Sequence, residues 1–204
     1  MDEKALMGWL AVGIMAAAYA FQIWRTLFGK SQPNPIAWVG FGFLTGVGYF
    51  AAVQKGAASG SWVMGFTSLC CFVVAGVSWF AHKERWMRKD GFPLANWVAL
   101  AAGVILFTFY LTCKHFAWGP VLAAVLAASA DVVLYEPIFH DTWHTPHNEC
   151  ATAYALNSAK FVPSLFAMGQ VTLTTVVYPS TLIVANAAVV VWLLWRRQVV
   201  PPLA

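Results

Sequence analysis

At 204 residues the chain is long enough for one compact domain, but 60% hydrophobic and only 10% charged residues exclude a soluble globular composition. The formal charge of +4 falls in short segments between apolar stretches, where it reports topology, so nucleic-acid binding is excluded as its purpose. The composition is that of an all-α integral membrane protein.

Seven stretches reach the ~20 residues that span roughly 30 Å of hydrocarbon: approximately 7–24, 35–53, 61–81, 93–112, 120–139, 150–168 and 173–195. The first follows the acidic Met1-Asp2-Glu3-Lys4 and ends without a small-residue cleavage site, so it reads as a retained span. In the second, Gly40, Gly42, Gly46 and Gly48 include a Gly42-x-x-x-Gly46 spacing that lets helix backbones approach closely. Pro120 and Pro179 lie near ends of the fifth and seventh spans, and Pro163 interrupts the sixth; each invites a kink. Cys70, Cys71, Cys113 and Cys150 have no paired spacing and read as small apolar residues rather than disulfide partners.

An odd number of spans puts the termini on opposite sides. Lys4, Lys55 and Lys114 lie on the amino-terminal side, whereas Arg25, Lys30, Lys83, Arg85, Arg88, Lys89, Arg196 and Arg197 lie on the other. Basic residues in short loops are retained in the cytoplasm, so the amino terminus is expected outside and the carboxyl terminus inside a cell membrane, with Lys83 to Asp90 as a cytoplasmic loop. Trp9, Trp62 and Trp118 fall at outer ends and Trp24, Trp38, Trp79, Trp97, Trp192 and Trp195 near inner ends, the placement of interfacial anchors.

Two parts of the chain share a pattern. Phe21-Gln22-Ile23 precedes Ser31-Gln32-Pro33-Asn34-Pro35-Ile36-Ala37, and Glu136-Pro137-Ile138 precedes Thr145-Pro146-His147-Asn148-Glu149-Cys150-Ala151. In each, a helix end with an amide or proline leads through a polar, Pro-containing loop into a new span. The offset of about 114 residues superposes the first three spans (7–81) on the last three (120–195) and leaves 93–112 as a connector within one membrane domain. Four spans separate the repeats, an even number, so the halves run in parallel. This three-plus-one-plus-three plan resembles the SWEET and PQ-loop family, with the Pro-Gln dipeptide degraded to Phe21-Gln22 in one repeat and Glu136-Pro137 in the other. The resemblance implies two three-helix units around a central path, Gln22, Glu136 and Pro137 at an inner gate, and association of protomers as a homo-oligomer. It also implies an asparagine of the last helix in each repeat lining a sugar site. Asn186 lies in that helix of the second repeat, and the third span offers Ser68, Cys70 and Cys71 at comparable depth.

Asp131, Lys160 and Asn186 each sit near the middle of an apolar segment, where a polar group costs a few kcal/mol and therefore faces a bundle interior, a partner or a water-filled path. Asp131 and Lys160 are expected at one depth on sequential helices, as an ion pair, with Asn157 one turn from Lys160 and able to bond either charge. Such a pair is either a lock between helices or a coupling and recognition site. A retinal-type Schiff base is disfavoured because the last helix has no lysine.

His140, His144 and His147, with Asp141 and Glu149, form the one metal-like string. Three imidazoles and the Glu149 carboxylate suit a divalent ion such as zinc, a pH-sensitive gate, or simply a wet interfacial loop. No hydrolase or nucleotide-binding motif is present, and no enzymatic role is expected. The reading that follows is a uniporter or proton-linked carrier of a small polar solute, with Asp131, Lys160, Asn157 and Asn186 lining the path and no obligatory cofactor. The alternative is a non-transporting sensor or assembly subunit that binds a cytoplasmic partner or a divalent metal through the His140–Glu149 loop.

Overall fold

Several helices in this chain begin where the sequence supplies a side-chain acceptor or a proline. The computed structural model describes residues 2–86, 94–147 and 149–201; Arg88, Lys89, Asp90 and Asn148 of the sequence reading lie outside them. Helix α1 (Glu3–Leu27) is capped by Asp2, whose carboxylate accepts from the Lys4 amide, and Arg25 in its last turn complements the carbonyl end. Helix α2 (Pro35–Gln54) opens on Asn34, which accepts from the amides of Ile36 and Ala37, with Pro35 in the first turn. A 3-10 turn (Ala58–Ser61) leads into α3 (Trp62–Ala81), followed by the short α4 (Lys83–Trp86) and by α5 (Leu94–Cys113).

The expected fifth span divides into α6 (Gly119–Leu134) and α7 (Glu136–His144). Pro137, in the first turn of α7, has no amide to continue the hydrogen-bond ladder of α6. The expected sixth span is also broken, into α8 (Ala151–Ala159) and α9 (Phe161–Phe166), with Lys160 at the junction. Pro163 explains this break: it cannot donate to the carbonyl four residues earlier. Helix α10 (Leu173–Val199) starts with a reciprocal Thr172–Thr175 capping box and ends on Arg196 and Arg197.

Among the described residues there is no strand, and five helices are long and apolar enough to cross a membrane: Glu3–Leu27, Pro35–Gln54, Ala58–Ala81, Gly119–His140 and Leu173–Val199. The protein is therefore an all-helical, multi-pass, membrane-embedded chain. The expected fourth and sixth spans are not among the five. The fourth coincides with the 20-residue α5 (Leu94–Cys113), and the sixth is interrupted at Lys160.

Helix α3 lies between α1 and α2, and α10 lies between α6 and α8. The two triplets meet where α1 faces α8 and α9 and where α2 faces α6, while α5 packs on α2 and α6. The Gly42–Gly46 spacing has the effect expected of it. A Cβ on Gly42 would sit 2.9 Å from the Phe72 ring and one on Gly46 3.2 Å from the Ser68 hydroxyl, so side chains of α3 pack directly on the glycine face of α2. Ser68 fixes this approach by donating to the Gly42 carbonyl at 2.7 Å. Helix α6 achieves the same closeness with buried Ala123, Ala124, Ala127 and Ala128.

Main-chain bonds seal the face that carries the amino terminus. The loops before α3 and before α10 pair there through Gly169 N–H to Ala57 O at 3.1 Å and Gln170 N–H to Gly56 O at 2.9 Å. Ser164 donates to Gly60 O at 2.7 Å, and Ser59 bridges the carbonyls of Lys4 and Ala167.

Candidate functional site

The two intramembrane charges are each almost fully buried, Asp131 and Lys160 both retaining 1% of their exposure. Both line one cavity of about 50 Å3, together with Asn157 and Asn186, so the structure brings the four predicted path residues to a single place. The cavity is enclosed by side chains from α1, α2, α3, α6, α8, α9 and α10, and thus from both triplets.

The expected ion pair does not form. Lys160 Nζ donates to Thr67 Oγ1 at 2.8 Å and to Asn157 Oδ1 at 2.7 Å, and lies over the rings of Tyr19 at 4.7 Å and Phe161 at 4.9 Å. Its charge is thus held by two neutral oxygens and two aromatic faces, an arrangement suited to a buried ammonium. Neither oxygen of Asp131 makes a hydrogen bond of ordinary geometry, and the Tyr178 hydroxyl is the neighbouring donor. The reason the pair fails is the order of the helices: with α10 between α6 and α8, sequential helices are not packed neighbours. Asn157 does bond Lys160, as its one-turn spacing predicts. Asn186 donates back to the Leu182 carbonyl of its own helix at 2.7 Å.

Several residues of this site carry no signal in the sequence. Thr67, Tyr19, Thr45 and Tyr178 are ordinary members of apolar runs. In the structure Tyr19 and Cys71 share a hydrogen bond at 3.4 Å, and Thr45 and Tyr178 share one at 3.0 Å. Trp38 packs edge-on against Tyr19 and against Phe41, which in turn contacts Tyr135, so three linked rings wall the cavity on the side away from the amino terminus. A period-3.6 reading places such residues on a buried face but cannot say which charge they meet.

Thr67 is the test of how Lys160 is held. Thr67→Val removes one of its two neutral acceptors at nearly constant volume, and hydrogen bonds to charged groups are worth about 1.5–3 kcal/mol. The expected result is a loss of that size in unfolding free energy, measured by denaturant titration in detergent. A variant as stable as the parent would show that Lys160 does not depend on Thr67.

The gate residues are less uniform. Gln22 is buried and donates to Ser31 Oγ at 3.1 Å, tying the end of α1 to the polar loop before α2. Glu136 is exposed, and Pro137 lies in the first turn of α7. His140 and His144 are exposed on α7, His147 Nε2 bonds Val200 O at 2.9 Å, and Glu149 accepts from Tyr154 at 3.4 Å. Among the described residues no three His, Cys, Asp or Glu side chains gather as a metal set. The loop is instead fastened to the end of α10: Arg196 donates to Trp143 O and stacks on the Trp143 ring at 4.3 Å, and Arg197 donates to the carbonyls of Pro146 and Glu149.

A larger crevice, about 590 Å3, opens between α2, α3 and α5. Its walls are mostly aromatic and aliphatic, and its Ser68 hydroxyl is already committed to Gly42. The buried ionisable side chains Asp131 and Lys160 line the small cavity instead. Comparison of the chain with protein-family models, curated proteins and solved structures finds no match.

Proposed function

We propose that the protein is a carrier of a small polar solute, a uniporter or a proton-linked transporter. The observation that supports this most is the pair of buried charges that face one cavity between the triplets without neutralising each other. A structural lock would join them directly, because an unpaired buried charge is costly and a bonded one less so. A binding or coupling site needs them separate, since intramembrane ionisable residues kept at such cost mark solute or proton paths.

In this reading α1–α3 and α6–α10 are parallel repeats of a SWEET- or PQ-loop-like plan, α5 is the connector, and seven segments cross the membrane with the amino terminus outside. The matching helix order, third between first and second in each triplet, supports the repeat. The hydrogen-bonded loops at the amino-terminal face are then a closed outer gate, and Gln22, Glu136 and Pro137 belong to the opposite gate. Protomers associate as the resemblance implies. The partner-binding alternative is weakened by the His140–Glu149 loop, whose main-chain oxygens are taken by Arg196 and Arg197 of the same chain.

Flux in proteoliposomes tests the proposal. Asp131→Asn and Lys160→Met are each expected to abolish solute uptake, a loss of at least ~100-fold, while the variants remain folded by circular dichroism and size exclusion. Unchanged flux in both would remove the site.

A further inference from the structure

Asp131 is a buried acceptor that lines the cavity; neither oxygen makes a hydrogen bond of ordinary geometry, and its neighbouring donor, the Tyr178 hydroxyl, is shared with Thr45. Lys160 is a donor with three hydrogens, two of them spent on the neutral oxygens of Thr67 and Asn157. The cavity thus presents a carboxyl group from α6 and an amino group from the α8–α9 junction that form no ion pair with each other. A ligand with only a cationic end satisfies Asp131 and is repelled by Lys160; a ligand with only an anionic end meets the reverse. A neutral polyol can bond to both but cancels neither charge. A dipolar ligand does all of this at once.

We infer that the cavity takes a small zwitterion of the α-amino-acid type, its ammonium directed to Asp131 and its carboxylate to Lys160. The wall formed by Trp38, Phe41 and Tyr135 is consistent with the ammonium end. Phe41 and Tyr135 have ring centroids 5.5 Å apart, Tyr135 lies one turn beyond Asp131 on the chain, and aromatic faces attract cations. Size narrows the class further. A volume of about 50 Å3 holds a cluster of roughly three to five waters, which is the bulk of the smallest amino acids and less than that of a monosaccharide. The inference rests on the reading of this cavity as the carrier's solute site, but binding and transport can be measured apart.

The test is the thermal stability of the full, detergent-purified chain against glycine, alanine, glycolate, methylamine and glucose at matched concentrations. Glycine or alanine should raise the melting temperature in a saturable way. Glycolate, which lacks the ammonium, and methylamine, which lacks the carboxylate, should each bind at least ~10-fold more weakly, and glucose should have no effect. In Asp131→Asn the advantage of glycine over glycolate should vanish, and in Lys160→Met its advantage over methylamine. Because the ligand series is read on the unaltered protein, a variant that fails to fold leaves the answer intact. Glycolate or methylamine equal to glycine, stabilisation by glucose, or no effect of either amino acid would each overturn the zwitterion. Glycine that binds without crossing proteoliposomes would keep the zwitterion site and remove the carrier; flux of another solute without glycine binding would do the opposite.

Discussion

Asp131→Ala is expected to raise the melting temperature of the purified protein while abolishing its flux. A buried acceptor without a partner costs about 1–3 kcal/mol, and more if it is charged. Asp131 has two such oxygens and lies on the helix face that carries Ala123, Ala124, Ala127 and Ala128, so a methyl group continues an existing packing surface. For a chain of this length each kcal/mol corresponds to roughly 2–4 °C. A rise of several degrees is therefore the expected result, by differential scanning fluorimetry in the same detergent. The combination matters more than either half. Removing a purely structural group lowers stability, and removing an idle one changes nothing; only a group maintained for function leaves a more stable, inactive protein. A fall in melting temperature would show that the carboxylate is stabilised in the folded protein and would count against the functional role.

Gly60→Val should open the face that carries the amino terminus. A Cβ at this position would meet Met168 Sδ at 2.6 Å, Met168 N at 2.8 Å and Ser164 O at 2.8 Å. Two of these atoms are backbone, so the strain cannot be relieved by a side-chain rotation alone. The same residue accepts the Ser164 hydrogen bond and neighbours the Ala57–Gly169 and Gly56–Gln170 pairs. Overpacking of this kind costs about 1–3 kcal/mol, and here the cheapest relief is separation of the two loops. Cys71 lines the cavity and is buried in the intact protein, so it reports the opening. With Cys70, Cys113 and Cys150 replaced by alanine, a membrane-impermeant maleimide should modify Cys71 at least ~10-fold faster in Gly60→Val than in its parent, since local opening governs access. Labelling at the parental rate, with the melting temperature unchanged, would show that these loops are not a seal.

What could be read along the chain was local. Hydropathy and length identify a membrane-embedded helical protein, Asn34 and Pro35 start α2, and Arg196 and Arg197 end α10. The glycine spacing of α2 marks a face for close packing without naming the helix that meets it, and Asn157 reaches Lys160 because residues three apart share a helix face. Asp131 and Lys160 are conspicuous in sequence because charge is rare in hydrocarbon, and both do enter one cavity.

Everything that required knowing which helices are neighbours was hidden. Apolar side chains surround these helices on nearly every face, so their patterns do not say what each face packs against. Chain order suggests that α6 and α8 touch; the fold inserts α10 between them, and the ion pair is replaced by Lys160 bonded to Thr67 across the boundary between triplets. The unbonded state of Asp131 and the pairing of the loops at Ala57 and Gly169 belong to the same category. Local composition decides that a helix forms and where it stops, because caps, prolines and hydropathy act within a turn or two. Partners separated by about a hundred residues are chosen only when close packing brings the surfaces together, and that choice is made by the whole bundle.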